Sequence, residues 1–308
     1  MQILIYGIGG IGGYFGGRIA KVGYNVSMIA RGTHLEAIKK HGLQVQSING
    51  DFTVHPGLVT SNIEEVPQPD LVILGVKSWQ IEEVAKKLKP ILKKDSIVLP
   101  LQNGADNAEK LQKILPSQNV LAGLCRIVSF VEAPGKIKHP SFNPSITFGE
   151  LDNSRSKRVL DLKALFNKAE IENIIPDNIH MEIWKKFLFI SMISALGGLT
   201  RVSLDIIRNR EYLRGLMEKT GLEIIAVADA KGINLSTEHL KMAFEALDKQ
   251  PAGTTASTQR DIMAGKPSEL ENFNGYIVRQ GKSLNVPTPI NTFIYECLLP
   301  MEIEARKA

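Results

Sequence analysis

The chain has 308 residues, 44% of them hydrophobic and 22% charged, with 37 Lys+Arg against 32 Asp+Glu for a net charge of +5. A chain of this length suggests two domains at roughly 150 residues each, and its composition excludes a disordered segment, a collagen-like repeat and a coiled coil. The positive excess is small and unclustered, unlike the field of a nucleic-acid binder, so no nucleic-acid partner is expected.

Gln2–Tyr6 reads as a short buried strand without alternation, the type found in parallel sheets covered on both faces. A glycine-rich turn follows, then a helical stretch over Tyr14–Val22 ending at Gly23, then a second apolar strand over Asn25–Ala30. Together these form one β-α-β unit. His34–His41 predicts a polar helix stopped by Gly42, Asp70–Val76 a buried strand, and Trp79–Leu92 an amphipathic helix. Ser96–Leu101 reads as a strand, Asp106–Leu115 as a helix and Val120–Cys125 as a strand. After Pro134-Gly135, short runs such as Ser145–Phe148 suggest an antiparallel addition, Leu160–Ala169 is helical, and Ile171–Ile175 is the last strand. The alternation argues for an α/β, Rossmann-type doubly wound sheet.

The pattern changes at Pro176-Asp177-Asn178, beyond which only long helical patterns remain. One helix runs from about Ile179 to Leu196 and stops at Gly197-Gly198; another runs from about Arg208 to Ala230 and stops at Gly232. A third starts after Ser236. A fourth starts at Ser268, where Ser268 and Glu271 have capping-box spacing, and a final helix follows Pro287-Thr288-Pro289. The chain is thus read as an α/β domain over residues 1–177 and an all-α C-terminal domain over residues 178–308.

The chain has 2 cysteines, Cys125 and Cys297, too few and too far apart for a disulfide framework or a paired metal site. They are expected to be reduced thiols packed as small hydrophobes, which fits a reducing compartment. MQILIYGIGG lacks a basic leader and a cleavage site, and the apolar stretch Phe187–Leu199 is too short to span a bilayer. A cytoplasmic protein without a membrane partner is expected.

Gly7-Ile8-Gly9-Gly10-Ile11-Gly12 is a G-x-G-x-x-G sequence that follows a buried strand and opens a helix inside a β-α-β unit. In that context Gly7 permits the tight turn, Gly9 lets a pyrophosphate approach the backbone, and Gly12 lets helix and strand pack closely. The helix N-terminus then offers N–H groups and partial positive charge to the anion. An NAD site usually carries an acidic residue about 20 positions on, to hold the ribose 2′-hydroxyl. Here the second strand ends Ile29-Ala30-Arg31-Gly32, with no Asp or Glu between Asn25 and Leu35. Arg31 instead offers a planar cation suited to a 2′-phosphate. The cofactor reading is NADP(H), bound by residues 1–177.

Further stretches occur in order: Val76-Lys77-Ser78-Trp79-Gln80, Leu101-Gln102-Asn103-Gly104, Trp184-Lys185-Lys186-Phe187, and Asp261 to Gly275 with Gly265-Lys266-Pro267-Ser268-Glu269 inside it. With the glycine turn and Arg31, these resemble the ketopantoate reductase (2-dehydropantoate 2-reductase) family over essentially the whole chain. The resemblance implies NADPH-dependent reduction of ketopantoate to pantoate in pantothenate biosynthesis, by a monomer or homodimer acting on a small 2-oxo acid. It further implies that Lys186 donates a proton to the substrate carbonyl oxygen and that Lys77 and Asn103 lie at cofactor and substrate. Ser257 would bind the substrate carboxylate, and Glu269 would contact the cofactor and organise the lysine.

The residues themselves support part of this. Hydride addition develops negative charge on the carbonyl oxygen, so a nearby ammonium both stabilises that charge and can donate a proton. Lys186, Ile190 and Ser194 recur at four-residue intervals, on one drifting helical stripe. The family commonly places asparagines at the second and third of these positions. Ser194 can still bond a substrate, whereas Ile190 cannot. Two further readings stay open: a family member that reduces a different 2-oxo acid, and a dinucleotide-sensing protein without turnover. His139 and His180 are read as structural or surface residues.

Overall fold

The structure, a computed structural model, describes residues 1–307. The chain divides into two compact units, one of Met1–Gln102 with Asp106–Ile179, the other of Asn103–Ala105 with the chain from His180 onward.

The first unit runs β1 (Gln2–Tyr6), α1 (Gly10–Lys21), β2 (Asn25–Ile29), α2 (Gly32–His41), β3 (Leu43–Ser47), β4 (Phe52–Val54), β5 (Leu58–Thr60), β6 (Leu71–Leu74), α3 (Ile81–Leu88), β7 (Ile97–Pro100), α4 (Asn107–Gln112), β8 (Ala122–Ala133), β9 (Lys136–Gly149), α5 (Lys157–Lys168) and β10 (Glu172–Ile174). One sheet has the order β5-β2-β1-β6-β7, and its pairs are all parallel. The chain goes from β1 outward through β2 to β5 on one side, then returns to β6 and β7 on the other. The order therefore switches between β1 and β6, and a doubly wound sheet binds ligands at the carboxyl ends of the strands at such a point. The apolar runs of β1, β6 and β7 are buried on both faces, as their lack of alternation predicts.

A second sheet runs β10-β9-β3-β4, with β8 pairing β9. Here the sequence reading is corrected. Ala122–Cys125 and Ser145–Phe148 belong to one long antiparallel hairpin of β8 and β9, which the sequence had shown as two short runs, while Val120 bridges Val98 of β7 in parallel. Its register shifts between Arg126 and Val128, Val128 and Phe130, and Val131 and Ala133, and each irregularity breaks the period-2 pattern that would have revealed it. The last strand, read over Ile171–Ile175, is β10, and it pairs with β9 in this second sheet. The stretch Trp79–Leu92 is helical only over α3, flanked by 3₁₀ turns at Ser78–Gln80 and Lys89–Ile91. Pro90 in the second turn has no N–H for a continuing helix.

The second unit is helical: α6 (Ile179–Thr200), α7 (Leu204–Arg208), α8 (Glu211–Ala230), α9 (Thr237–Asp248), α10 (Ser257–Met263), α11 (Asn274–Leu284) and α12 (Pro289–Ala305). α6 runs through Gly197-Gly198 instead of stopping there. A Cβ on Gly197 would lie 2.5 Å from Gln259 Oε1 and one on Gly198 2.9 Å from Ile262 Cδ1, so these glycines admit α10. The helix ends at Arg201, in the left-handed region at φ 59°. By length and composition α6 could cross a membrane, yet most of it is buried among the other helices, as a core helix is. The expected helix from Ser268 starts later, at Asn274. Ser268 Oγ donates to Glu302 Oε2 at 2.5 Å and accepts from Leu270 N–H at 3.2 Å. Glu271 is bonded to Arg279 and Tyr295, so no capping box forms. Cys125 is buried as expected, whereas Cys297 is exposed.

Candidate active site

In the first unit, the glycine turn lies at the switch point. Gly7 has φ 95°, its N–H donates to the Ile29 carbonyl at 3.2 Å, and a Cβ there would meet Val76 N at 2.9 Å. A Cβ on Gly12 would lie 2.1 Å from the Gly7 carbonyl oxygen. Neither position tolerates a side chain. Gly9 is the N-cap of α1, with no side-chain cap and no acid in the first turn, and the one neighbour its Cβ would meet is the Gly75 carbonyl at 3.9 Å. Little therefore crowds Gly9 at this helix N-terminus, which fits the close approach of a pyrophosphate. Gly10 has a separate reason to be glycine. Its Cβ would collide with the Ser129 carbonyl of the hairpin at 2.2 Å. Ile8 is buried and Ile11 packs on the core, so both contribute backbone to the turn and side chain to the interior.

Arg31 and Lys77 follow the strands on either side of β1. Arg31, exposed and extended, is the N-cap of α2. Lys77 follows β6, and its direction is set by its own turn: Lys77 N–H donates to Gln80 Oε1 at 3.1 Å and Gln80 N–H to the Lys77 carbonyl at 2.9 Å. Glu83 on α3 lies within the influence of this group. Its carboxyl is held below the ordinary range by a hydrogen bond from Lys87, by that residue's charge, and in smaller part by Arg31. Gln102 lies just past β7. It is 3% exposed, and both atoms of its side-chain amide lack a hydrogen-bond partner among the described residues.

The other proposed residues belong to the second unit, including Asn103, which falls with the helices although it follows β7. Lys186 is half-buried on α6. Its neighbours Trp184 and Phe187 are buried, and Phe187 meets the rings of Trp184, Tyr276 and Phe273 at 5.5, 5.9 and 6.1 Å. This aromatic packing fixes the rotation of α6 and hence the side on which Lys186 emerges. Ile190 is half-buried, and Ser194 is buried with its Oγ lacking a hydrogen-bond partner among the described residues. Ser194 lies one turn before Gly197, on the stripe that admits α10. Ser257 begins α10 half-buried, while its neighbour Thr258, absent from the sequence reading, has a buried Oγ1 with no hydrogen-bond partner among the described residues. Gln259 Nε2 ties α10 to the Val202 carbonyl at 2.8 Å. Glu269 is 4% exposed, and its carbonyl accepts from Asn272 and Phe273 N–H at 3.0 and 3.1 Å. Buried hydroxyls without partners normally answer to a water or a ligand. No sequence pattern separates Thr258 from an ordinary helix threonine; only its burial does. His139 is structural as expected, 1% exposed between Ser47 Oγ and the Phe142 carbonyl, each at 2.8 Å.

Residues 3–153 match the family described as "Ketopantoate reductase PanE/ApbA", and residues 178–302 match its C-terminal region. A 2-dehydropantoate 2-reductase of Pyrococcus abyssi is 32% identical over 308 residues, covering 100% of both chains. An uncharacterized oxidoreductase, YkpB of Bacillus subtilis, is 30% identical over 304 residues, covering 99% of this chain and 100% of its own. Among solved structures, the ternary structure of D-mandelate dehydrogenase with NADH and anilino(oxo)acetate superimposes with a TM-score of 0.90, at 25% identity and 99% coverage of each chain. The chain belongs to the ketopantoate reductase family and is an oxidoreductase acting on a CH–OH group.

Proposed function

We propose that this protein reduces a small 2-oxo acid to the 2-hydroxy acid with NADPH, and that ketopantoate, reduced to pantoate for pantothenate biosynthesis, is its substrate. The observation that carries the reading is the open glycine cradle at α1 with Arg31, and no acid, at the end of the neighbouring strand. When bound, the reduced nicotinamide supplies the hydride. Backbone N–H groups of Gly9–Gly12 hold the pyrophosphate, and Arg31 pairs with the 2′-phosphate as a planar cation. Lys77 and Asn103, each just past a strand end, hold cofactor and substrate. The Lys186 ammonium gives a proton to the carbonyl oxygen as negative charge develops there. Ser257 binds the carboxylate, Ser194 hydrogen-bonds the substrate, and Glu269 contacts the cofactor and orients Lys186. Residues 1–177 serve as the cofactor domain and residues 178–308 as the substrate domain, in a cytoplasmic monomer or homodimer with no nucleic-acid or membrane partner.

A second reading keeps the chemistry and changes the substrate to a 2-oxo acid with an apolar or aromatic group. It is supported by Ile190, which offers no hydrogen bond, and by the likeness to D-mandelate dehydrogenase. The test is NADPH oxidation across a panel of 2-oxo acids that includes ketopantoate, 2-oxoisovalerate and benzoylformate. Turnover of none of them would leave the dinucleotide-sensing reading in its place.

A further inference from the structure

His34 is the third residue of α2, three positions after Arg31, and its ring joins segments far apart in sequence. Its Nδ1 accepts the Gly135 N–H from the β8–β9 turn at 2.9 Å. A backbone amide can only donate, so Nδ1 carries the lone pair and Nε2 the proton of a neutral imidazole. Nε2 is buried and makes no hydrogen bond of good geometry among the described residues, although the Ile8 backbone acts on it. Burial lowers the pKa of this imidazole, with the Ile8 backbone acting in the opposite sense, so the acceptor form is the resident one.

The same turn is keyed to the cofactor loops at other points. A Cβ on Gly135 would lie 3.0 Å from Ala37 Cβ, one helical turn along α2 from His34. The hairpin's Ser129 carbonyl fills the space beside Gly10, and Ile137 fills that beside Gly13. Arg31 opens the first turn of α2, its carbonyl accepting from Leu35 N–H at 3.2 Å. Gly32 has φ 54°, and Arg31 and Thr33 are exposed. The burial of Ala30 and Leu35 seats the start of α2 on the core, and the imidazole ties it to the β8–β9 turn.

We infer that His34 is a positioning residue for cofactor selection, holding the Arg31 loop against the hairpin turn so that the guanidinium meets the adenosine 2′-phosphate. The inference rests on the NADPH reading above. The roles of the two residues differ: Arg31 supplies the charge, His34 its placement. Losing placement lowers affinity for the phosphorylated cofactor and leaves that for the other nearly unchanged.

The experiment is fluorescence titration of NADPH and NADH into the full chain and the variants His34→Leu, His34→Asn, His34→Gln and Arg31→Ala, with melting curves to verify folding. Asn places an acceptor oxygen one bond from Cγ, as Nδ1 is, whereas Gln places its amide one bond further out. His34→Leu and His34→Gln should weaken NADPH about tenfold, the usual effect of one buried hydrogen bond, with NADH changed less than about threefold. His34→Asn should stay within about threefold of the parent for both. Equal losses for the two cofactors, no loss in His34→Leu, or His34→Asn behaving like His34→Gln would overturn the inference. If His34→Leu does not fold, the Asn and Gln pair decides it. Arg31→Ala separates the two claims: an unchanged cofactor ratio there removes both the NADPH reading and the role of His34. A collapsed ratio in Arg31→Ala, with an unchanged one in His34→Leu and His34→Gln, removes the role of His34 alone.

Discussion

Lys185 and Lys186 are neighbours on α6 with different surroundings. Lys185 pairs with Glu182 on its own helix at 2.6 Å, both side chains partly exposed, an arrangement worth about 0–1 kcal/mol. Lys186 points about 100° away, from a segment whose rotation is fixed by Trp184 and Phe187. Lys186→Ala is expected to lower kcat by a factor of about 10² to 10⁴ with NADPH binding retained, the usual loss for a general acid. Lys185→Ala should be nearly silent. Equal effects in a steady-state assay would discard the assignment of the proton to Lys186. Arg31 makes the second prediction at this scale. NADPH should bind at least about tenfold more tightly than NADH, about 1.4 kcal/mol, a modest value for a charge-assisted phosphate contact. Arg31→Ala should erase most of that difference in a titration. Equal affinities in the unsubstituted protein would end the argument for a 2′-phosphate.

The elements differ in how much of them the sequence discloses. β1, β2, β6 and β7 are buried on both faces and so appear as unbroken apolar runs, and the glycine turn is legible because it follows one of them. β3, β4 and β5 are only three to five residues long, with mixed burial, too short for a period to register. The hairpin exposes Val128, Phe130 and Val131, which confuses an inside-outside reading. Gly197-Gly198 looks like a stop because the sequence cannot show the helix that approaches it. Within the site, Arg31 and Lys186 stand out by residue type and place, while Thr258 and Gln102 become visible only through burial. One element makes a stability prediction. At the start of α5, Glu150 accepts from Ser156 Oγ, Arg158 Nε and Arg158 Nη2 at 2.5, 2.6 and 2.5 Å, and Arg158 also bonds the Gln118 carbonyl. Burial pushes the Glu150 carboxyl up, but the bonds from Arg158 and Ser156 and the Arg158 charge hold it below its ordinary value. A depressed carboxyl stabilises the fold above its unfolded-state pKa, and that contribution fades as pH falls through the folded-state value. Arg158→Met leaves burial as the dominant influence, so the carboxyl is raised and the variant is weakest where it is ionised. The expected deficit is about 2–3 kcal/mol at pH 7, at or below the low end for a broken buried pair because Arg158 is partly exposed. It should narrow toward about pH 4. Urea denaturation at both pH values checks this, and a deficit unchanged by pH would show that the loss is packing alone.

At the scale of the molecule, each unit carries its own apolar core, one centred on Ile3, Phe15, Leu99 and Phe148, the other on Phe187, Leu188, Met217 and Phe273. The glycine turn and Arg31 belong to the first, Lys186 and the residues proposed to select the substrate to the second, so the two halves of the family's pattern can diverge independently. By the resemblance drawn from the sequence, the departure lies in the second unit, at Ile190 and Ser194. Substrate discrimination is where this departure should be felt. A site built to pair a substrate hydroxyl rejects an analogue lacking it by about 10⁴ or more, because its polar groups are left unpaired, whereas an apolar patch discriminates by only about 10–200-fold. Ketopantoate and 2-oxoisovalerate differ by the hydroxymethyl group, so their ratio of kcat/KM reads out which kind of site this is. With Ile190 beside Lys186 on the stripe, the ratio is expected to stay below about 10². Ile190→Asn should raise it, by improving ketopantoate and costing 2-oxoisovalerate, with kcat for the better substrate nearly unchanged because the proton still comes from Lys186. A ratio near 10⁴ in the unsubstituted protein would mean that the hydroxyl is paired by groups outside this stripe. The buried and unpartnered Oγ1 of Thr258 would then be the first to substitute, as Thr258→Val, with a fall in the ratio as the expected sign.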